Sequence, residues 1–285
     1  EAWVLSCHPA GPSTVLNGKY QGKTLQEVYL ADKSICGTKG KKYEFFPLLI
    51  KFIDAKRDLS IQVHPDDEYA MRVEGEYGKT EAWYILDCEP DAELILGFNR
   101  NVTVEEFKKA AQGDEMMSIC NRVKVKKGDI FFIESGTMHA ICKGILLAEV
   151  QQNSNTTYRI YDYGRLGKDG KPRELHVDKA ADVTKLCPPS IPDSSKREVE
   201  KFDNASRSKL TSCDLFTMYE LSVDGEYSSV CDEQSFVSLL CLDGSAEIEC
   251  DGEKLMMKKG ESIFIPANKG KFTINGNVKI LETRL

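Results

Sequence analysis

Four side chains of the types that bind a divalent metal lie in the N-terminal half of this chain, each on a short strand-like segment. They are Gln62 and His64 in Ser-Ile-Gln-Val-His-Pro, Glu81 in Gly-Lys-Thr-Glu-Ala-Trp, and His139 in Gly-Thr-Met-His-Ala. Gln62 and His64 are separated by one residue, so on a strand both side chains lie on one face. Two imidazoles, a carboxylate and an amide oxygen form a donor set suited to Zn²⁺, with coordination positions left for a substrate.

The elements that must position these side chains are mostly short strands. Apolar or alternating segments punctuated by Gly, Asp and Asn predict strands in both halves of the chain, and this indicates a mainly β fold. The predicted strands cover residues 47–53, 82–86, 93–96, 129–133, 145–150, 236–242, 246–249, 262–265 and 279–281.

Two helices interrupt the strand pattern. The longer one is predicted over residues 103–119, because Thr103 and Glu106 form a capping box and Phe107, Ala110 and Ala111 share a face. A shorter helix is predicted over residues 66–75.

Pro and Ser concentrate between positions 186 and 206, which predicts a linker and two domains, 1–186 and 187–285. The domains carry a weak repeat, because Gly128 to His139 parallels Gly260 to Lys271: each is a glycine turn followed by an apolar strand. The second copy has Lys271 at the position of His139 and so lacks that ligand. We therefore expect a duplicated β domain with one metal site, in the first copy.

Composition excludes several classes of protein. The net charge of −7 argues against nonspecific nucleic-acid binding, which needs a basic face. No apolar run approaches the ~20 residues that span a bilayer, and no signal peptide is seen. The ten cysteines contain no Cys-x-x-Cys pair, and their scatter among apolar runs predicts buried free thiols in a cytoplasmic protein. We expect neither nucleic-acid nor membrane partners, and the sequence leaves the oligomeric state open.

Two resemblances extend this interpretation. The pattern Gly128-x₅-Glu134-x-Gly136-x₂-His139 resembles the second cupin motif, with Glu134 at the usual proline position. The whole chain resembles the type I mannose-6-phosphate isomerases of the short bacterial kind. The supporting segments are Leu-Ser-Ile-Gln-Val-His-Pro-Asp-Asp from residue 59, Gly-Lys-Thr-Glu-Ala-Trp-Tyr from 78, Gly-Thr-Met-His-Ala from 136 and Thr-Thr-Tyr-Arg-Ile-Tyr-Asp-Tyr from 156.

The resemblance implies a fold and an activity. The fold is two cupin-type jelly-roll barrels, with a short helical insertion in the first and no metal in the second. The activity is that of a zinc-dependent aldose–ketose isomerase, with one Zn²⁺ per chain. It interconverts D-mannose 6-phosphate and D-fructose 6-phosphate through a metal-stabilised enediol(ate), so a small sugar phosphate is the expected partner.

The resemblance also assigns roles to residues. Gln62, His64, Glu81 and His139 are implied as zinc ligands, and Arg159, Lys79 and Glu149 as catalytic residues. Moving a carbonyl between C1 and C2 requires a group that carries a carbon-bound proton. Glu149 and Lys79 are both candidates; we favour Glu149, with Lys79 handling hydroxyl protons or ring opening. Arg159 is expected to stabilise negative charge, although it could instead be a structural partner of Asp162.

The substrate phosphate requires donors at the rim of the site. Arg165 stands where the family has a phosphate-contacting lysine, and it begins the basic run 165–173, which by itself could also be a solvated turn. Ser60, close to Gln62, is a second expected substrate-binding residue.

The chain departs from the family in three places. Longer members have a histidine at the position of Gly78 and an aspartate at the position of Asn155, so neither position can carry a proton here. The family also has an Ile-Trp-Gly-Gly segment upstream of the position of Glu1, and we expect that segment to be missing.

Other interpretations remain open on sequence alone. A non-catalytic metal-binding or sugar-binding cupin would keep the ligands without convergence of Arg159, Lys79 and Glu149. An Fe²⁺ cupin dioxygenase is disfavoured by Gln62 as a fourth ligand. His176 is expected at the surface, His8 in a structural or pocket-edge position, and Trp83 in barrel packing or the pocket wall.

Overall fold

The computed structural model describes residues 1–113, 115–167, 169–191 and 196–285. Two compact units are present: Phe52–Asp193 together with Glu1 forms the first, and Ala2–Lys51 together with Ser194–Leu285 forms the second. Lys168 of the basic run and positions 192–195 of the predicted linker lie outside the described residues. The division into domains 1–186 and 187–285 stays a prediction.

Helices are few and short within the described ranges. They are α1 (Leu25–Ala31), α2 (Gly37–Gly40), α3 (Asp67–Val73), α4 (Val104–Gln112), α5 (Met116–Ile119) and α6 (Val177–Val183), with 3₁₀ turns at Gly18–Tyr20 and Lys33–Cys36.

Strands make up most of the regular structure, so the mainly β prediction is confirmed. They are β1 (Ala2–Leu5), β2 (Leu48–Ala55), β3 (Ile61–Val63), β4 (Glu81–Cys88), β5 (Glu93–Phe98), β6 (Cys120–Lys124), β7 (Ile130–Ile133), β8 (His139–Ile141), β9 (Ile145–Gln152), β10 (Tyr158–Tyr161), β11 (Val199–Phe202), β12 (Ala205–Ser212), β13 (Thr217–Cys231), β14 (Val237–Cys250), β15 (Glu253–Lys258), β16 (Ser262–Ile265) and β17 (Gly270–Arg284).

The first unit is built from two sheets. In one, β2, β9, β4 and β7 are neighbours in that order, and in the other the order is β10-β3-β8-β5-β6. The inner faces share an apolar core that includes Trp83, Leu94, Phe131 and Leu147. The opposite face of the second sheet packs against helices α4, α5 and α6. The outer-face packing of Ile61, Val63 and Ala140 thus fixes β3 and β8, the strands that carry Gln62 and His139, and His64 directly follows β3.

The predicted long helix is two helices, so that prediction is wrong in its extent. Its start is confirmed, because Thr103 and Glu106 form the capping box and Phe107 is buried. The helix α4 ends at Gln112 because Gly113 adopts an extended backbone (φ −122°, ψ −167°) as its C-cap. The short helix predicted over 66–75 is confirmed as α3, with Asp66 as the N-cap that accepts from the Tyr69 N–H.

The second unit contains one large antiparallel sheet. Its order is β11-β12-β13-β17-β14-β15, and β16 pairs with β14. The strands predicted at 236–242 and 246–249 are parts of the single strand β14, because pairing with β17 continues through an irregularity between Cys241 and Asp243. The residues between the two predicted strands, which include Asp243 and Gly244, continue the pairing with β17, so long-range pairing overrides their low strand preference.

The predicted repeat is confirmed as strand–turn–strand in both copies. Residues 130–133 and 262–265 are the strands β7 and β16, and His139 and Lys271 lie at the start of β8 and β17. His139 is buried and Lys271 is exposed. All ten cysteines are free, as predicted; six are buried, whereas Cys187 is exposed. Across the residues described, no helix is long and apolar enough to cross a membrane.

Candidate metal centre and active site

Three of the expected ligands converge inside the first unit. His64 follows strand β3, Glu81 begins β4 and His139 begins β8. One ligand atom from each lies within 4.8 Å of the others. All three side chains are at most 1% exposed. Residues that are 17 and 58 positions apart along the chain (64 to 81, and 81 to 139) therefore meet in one buried place.

The distances between the ligand atoms fit a tetrahedral ion. The two oxygens of Glu81 lie 3.6 Å from His64 Nε2 and 3.4 Å from His139 Nε2. Zinc–nitrogen and zinc–oxygen bonds of about 2.1 Å at tetrahedral angles place neighbouring ligand atoms about 3.4 Å apart. Each Glu81 oxygen therefore lies near this spacing from one of the two imidazoles, and the three ligand atoms are close enough together to share one ion.

Backbone carbonyls orient both imidazoles. His64 Nδ1 lies 2.9 Å from the Thr156 carbonyl, and His139 Nδ1 lies 2.9 Å from the Thr137 carbonyl. A carbonyl oxygen only accepts, so each Nδ1 must be the protonated nitrogen that donates. In the neutral rings this leaves the lone pair on Nε2, the nitrogen that faces Glu81. Metal-binding histidines are held in this way in many proteins, and the donor set here fits a divalent ion.

Gln62 borders the three ligands. It pairs directly with His139 across β3 and β8, and its Nε2 lies 3.3 Å from His139 Nε2. Ser60 Oγ lies 3.5 Å from Gln62 Oε1. A half turn of the amide exchanges Oε1 with Nε2 and would present the oxygen to an ion. The structure therefore places Gln62 beside the site, and Ser60 beside Gln62.

Lys79 and Glu149 join the same cluster. Lys79 Nζ lies 2.7 Å from Glu81 Oε2, 2.9 Å from His64 Nε2 and 3.8 Å from Glu149 Oε1. Both side chains are buried. Lys79 and Glu149 therefore belong to the same buried cluster as the candidate metal ligands.

Trp83 has a polar contact that its place in the sequence does not reveal. Its indole N–H donates to Glu149 Oε2 at 2.8 Å, and the two residues pair directly across β4 and β9. Its ring also meets His139 edge-on, at 5.2 Å between centroids. The sequence predicted only packing or a pocket wall. The register of β4 against β9 would have revealed the contact, but local sequence does not determine that register.

Arg159 lies one strand away from the ligands. It pairs with Gln62 across β10 and β3, and Gln62 pairs with His139 across β3 and β8, so the three side chains share one face of the sheet. Its Nη1 donates to the Glu174 carbonyl at 2.8 Å. Burial, together with the nearby Arg173 guanidinium, lowers the pKa of Arg159 below its usual range.

Arg165 is held in an ion-pair cluster. It binds Asp162 and also donates from Nη1 to the Asp58 carbonyl at 2.5 Å. Asp162 was considered as a partner of Arg159, but its hydrogen bonds come from Arg165 and Arg173.

The remaining histidines differ in position. His8 is buried in the second unit, where its ring meets Trp3 edge-on. His176, which was expected at the surface, is partly buried because its Nδ1 accepts from the backbone N–H of Arg159 at 3.1 Å. Burial lowers the pKa of His176.

The mainly β fold and the buried cluster of two histidines and one carboxylate are features of metal-binding proteins of the cupin-like class. Two family models match the chain: "Phosphomannose isomerase type I, catalytic domain" over residues 1–99 and "Mannose-6-phosphate isomerase, cupin domain" over residues 206–284. The mannose-6-phosphate isomerase ManA of Bacillus subtilis is 39% identical, covering 100% of this chain and 89% of the relative. That of Streptococcus mutans is 36% identical, covering 99% and 87%.

Solved structures agree with these matches. The crystal structure of the mannose 6-phosphate isomerase from Bacillus subtilis superposes with a TM-score of 0.91 at 38% identity, covering 99% of this chain and 88% of that one. The chain belongs to the mannose-6-phosphate isomerase family, and it is an enzyme of the isomerase class.

Proposed function

We propose that this enzyme is a zinc-dependent isomerase that interconverts D-mannose 6-phosphate and D-fructose 6-phosphate through an enediol(ate). The observation that carries the proposal is the meeting of His64, Glu81 and His139 within 4.8 Å, beside the buried pair Lys79 and Glu149. A metal-binding cupin without catalysis would not need an acid and a base buried against its ligands. The names of the relatives support the choice of substrate.

Zinc fits the donor set better than a harder ion. Two imidazoles and one carboxylate, with Gln62 as a possible fourth ligand, match the nitrogen-rich coordination that Zn²⁺ accepts, whereas Mg²⁺ and Ca²⁺ favour oxygen. The bound ion would supply Lewis acidity toward the sugar carbonyl and its hydroxyl neighbour.

Glu149 is the proposed carrier of the carbon-bound proton. Its Oε2 accepts from the Trp83 indole, which fixes the plane of the carboxylate. Its Oε1 lies 3.8 Å from Lys79 Nζ, so it is the oxygen on the side of the metal ligands. A fixed carboxylate beside the ligand set can take a proton from one carbon and return it to the next. Lys79 is then placed to move hydroxyl protons.

Arg159, Ser60 and Arg165 complete the proposed site. Arg159 shares a sheet face with Gln62 and His139, where its charge can stabilise a developing oxyanion. Ser60 lies next to Gln62, and Arg165 bonds to the Asp58 carbonyl, two positions before Ser60. These two residues are the proposed contacts of the sugar and its phosphate.

Finer features of the architecture are part of the same proposal. We place the catalytic centre in a cupin-type jelly-roll barrel of domain 1–186, with a second, metal-free barrel in domain 187–285. The two-sheet first unit and the repeated strand–turn–strand segments support this architecture. The free thiols support a cytoplasmic location.

The direct test uses the metal-loaded protein and mannose 6-phosphate, with fructose 6-phosphate as the measured product. We expect turnover that a chelator abolishes and that Zn²⁺ restores. Glu149→Gln should stop proton exchange between solvent and C2 and lower kcat about a thousandfold. The exposed Glu134, which pairs with Lys185, provides the matched control Glu134→Gln, which should keep full activity. Retained exchange in Glu149→Gln would remove that residue as the base.

A second variant tests Arg159. Arg159→Ala should lower turnover about a hundredfold with little loss of bound metal, because the guanidinium stabilises charge without ligating the ion. If the variant loses its metal or unfolds, the assignment is wrong.

A further inference from the structure

A strained turn follows strand β10, next to the proposed site. The Arg165 N–H donates to the Asp162 carbonyl at 3.1 Å, and the two residues between them, Tyr163 and Gly164, have φ of 56° and 66°. This is a two-residue turn of the type that requires left-handed backbone at both central positions. Glycine adopts this backbone freely, but tyrosine does so at a cost of order 1 kcal/mol.

Packing holds Tyr163 in that conformation. Its ring meets Tyr161 at 5.1 Å between centroids and lies against the apolar core that includes the outer face of β3 and β8. The Arg165 guanidinium lies over the Tyr163 ring at 5.2 Å from its centroid. Strain that the surrounding structure maintains is typical of functional segments, and here it brings Arg165 back onto Asp162.

Asp162 holds two guanidinium groups at once. Arg165 Nε donates to Oδ1 at 3.1 Å and Arg173 Nε donates to Oδ2 at 2.7 Å, while Nη2 of each arginine also contacts Oδ1. Burial alone would raise the pKa of Asp162, but the hydrogen bonds from Arg173 and Arg165 hold it below its usual range. Asp162 is therefore a carboxylate with two cations, which leaves one positive charge in excess.

The two arginines retain donors for a further acceptor. A guanidinium has five N–H groups. Within the described part of the chain, the hydrogen bonds of Arg165 involve its Nε, Nη1 and Nη2, and those of Arg173 involve its Nε and Nη2. The side chains of Arg165 and Arg173 are 29% and 42% exposed, so a solute can reach both guanidinium groups.

The arginine cluster lies beside the metal-ligand candidates. Arg165 bonds to the carbonyl of Asp58, in the segment that leads to Ser60 and then to Gln62 on β3. Arg159 pairs with Gln62 across β10 and β3, and after burial the charges of Arg173 and Arg165 contribute to its lowered pKa. The two arginines are therefore cationic groups next to the proposed sugar site.

We propose that Asp162 is a positioning residue that holds Arg165 and Arg173 as a two-guanidinium clamp for the substrate phosphate, with Arg173 as a direct phosphate contact. This inference rests on the proposed isomerase function and deepens it. Planar guanidinium groups bind phosphate oxygens through paired N–H donors. The hydrogen bonds to Asp162 hold both guanidinium groups in place before the substrate binds. Asp162 neutralises only one of their two charges, so the clamp remains cationic.

The test compares substrates with and without the phosphate. For the metal-loaded protein, kcat/KM is measured with mannose 6-phosphate and, at high enzyme concentration, with mannose. Asp162→Asn and Arg173→Gln should each lower the ratio of the two values about tenfold to a hundredfold, mainly through KM for the phosphorylated sugar. Asp162→Glu should restore part of the loss. Asp178→Asn, which removes an exposed pair with Lys108, is the matched control and should leave the ratio unchanged.

A merely structural ion-pair cluster gives a different result. In that case Asp162→Asn would lower kcat/KM for mannose 6-phosphate and for mannose by the same factor. Arg173→Gln would change neither value. Either result overturns the clamp. Because Arg173 is partly exposed, Arg173→Gln remains informative if Asp162→Asn fails to fold.

Binding of inorganic phosphate separates this inference from the proposed function. If the wild type converts no mannose 6-phosphate, the proposed function fails, and calorimetric titration with phosphate decides the clamp alone. Weaker binding in Arg173→Gln than in the wild type supports the clamp, and equal binding overturns it.

Discussion

Each compact unit contains one buried carboxylate held by two arginines, but the two groups are built differently. In the second unit Glu282, which is 0% exposed, accepts from Arg207 and Arg284 at 2.7 and 2.6 Å. The Arg207 guanidinium is covered by the Tyr219 ring at 3.5 Å. Arg284 also donates to the Val230 carbonyl. The side chains of Arg207 and Arg284 are only 15% and 19% exposed.

In the first unit the corresponding carboxylate is Asp162, and the side chains of its two arginines are 29% and 42% exposed. The same arrangement, one carboxylate with two arginines, therefore has a different role in each unit. Where the guanidinium groups are covered, the ion pairs join strands β12 and β17, and where they are open they can receive an anion. If this is correct, substitutions at the centre of the first unit should mainly change activity, and substitution of Glu282 in the second unit should mainly change stability.

The largest effect is expected from the metal centre. Glu81→Gln replaces the carboxylate between the two imidazoles with a neutral amide, so the ion should be lost and activity should fall at least about a thousandfold, or ~4 kcal/mol. The unfolding free energy should change far less than that. Metal analysis and steady-state kinetics measure the outcome. A variant that keeps one ion per chain would contradict the ligand assignment.

The next effect concerns stability in the second unit. Glu282→Gln removes the buried negative charge that Arg207 and Arg284 share, and the exposed Glu200, at 3.9 Å from Arg207, does not replace it, so the unfolding free energy should fall by about 3 kcal/mol. Metal content should be unchanged. Urea unfolding measures the change, with Glu198→Gln as the control because Glu198 forms an exposed pair with Lys209. A loss below about 1 kcal/mol would show that Glu282 is no more structural than a surface pair.

A smaller effect is expected from Trp83. Trp83→Phe keeps an aromatic ring in the core but removes the donor to Glu149, so kcat should fall about tenfold to a hundredfold, or ~2 kcal/mol. Trp3 is the other tryptophan of the chain and lies in the second unit, so Trp3→Phe is a natural control. Equal activity of the two variants would show that the indole does not orient the carboxylate.

The smallest effect is a pH dependence. The pKa of Asp162 is lower in the folded protein, so its ion pairs stabilise the fold above the unfolded pKa of about 3.9, and that stability is lost as pH falls through the folded pKa. Asp162→Asn should therefore be less stable than the wild type by about 1 kcal/mol at pH 7 and equally stable in strong acid. Urea unfolding at several pH values would show the two curves converge. A constant difference would mean that the loss is not electrostatic.

Much of this molecule follows from local sequence. Turn residues and alternating apolar residues located β7, β9 and β16, and the capping box located the start of α4. His64, Glu81 and His139 were identifiable because their flanking turns and strand spacing are local features. Their convergence was expected because the donor types together suit Zn²⁺ and because the chain resembles the type I mannose-6-phosphate isomerases.

The rest depends on long-range pairing. Strand register brings Trp83 opposite Glu149 and Arg159 opposite Gln62. Residues on other strands determine that register, so it cannot be read from local sequence. The grouping of residues 2–51 with the C-terminal strands is likewise a tertiary effect. The turn at Tyr163 had no local signal, because a tyrosine with left-handed backbone is imposed by packing.

One contact of Lys79 bears on the charge that the fold encloses. Its ammonium lies 2.7 Å from the Glu81 carboxylate, and both side chains are at most 5% exposed. A buried carboxylate without a counter-charge costs a folded protein several kcal/mol. Lys79 therefore has two tasks, as the counter-charge of Glu81 in the folded chain and as a proton carrier in the proposed chemistry, and any exchange of this side chain affects both.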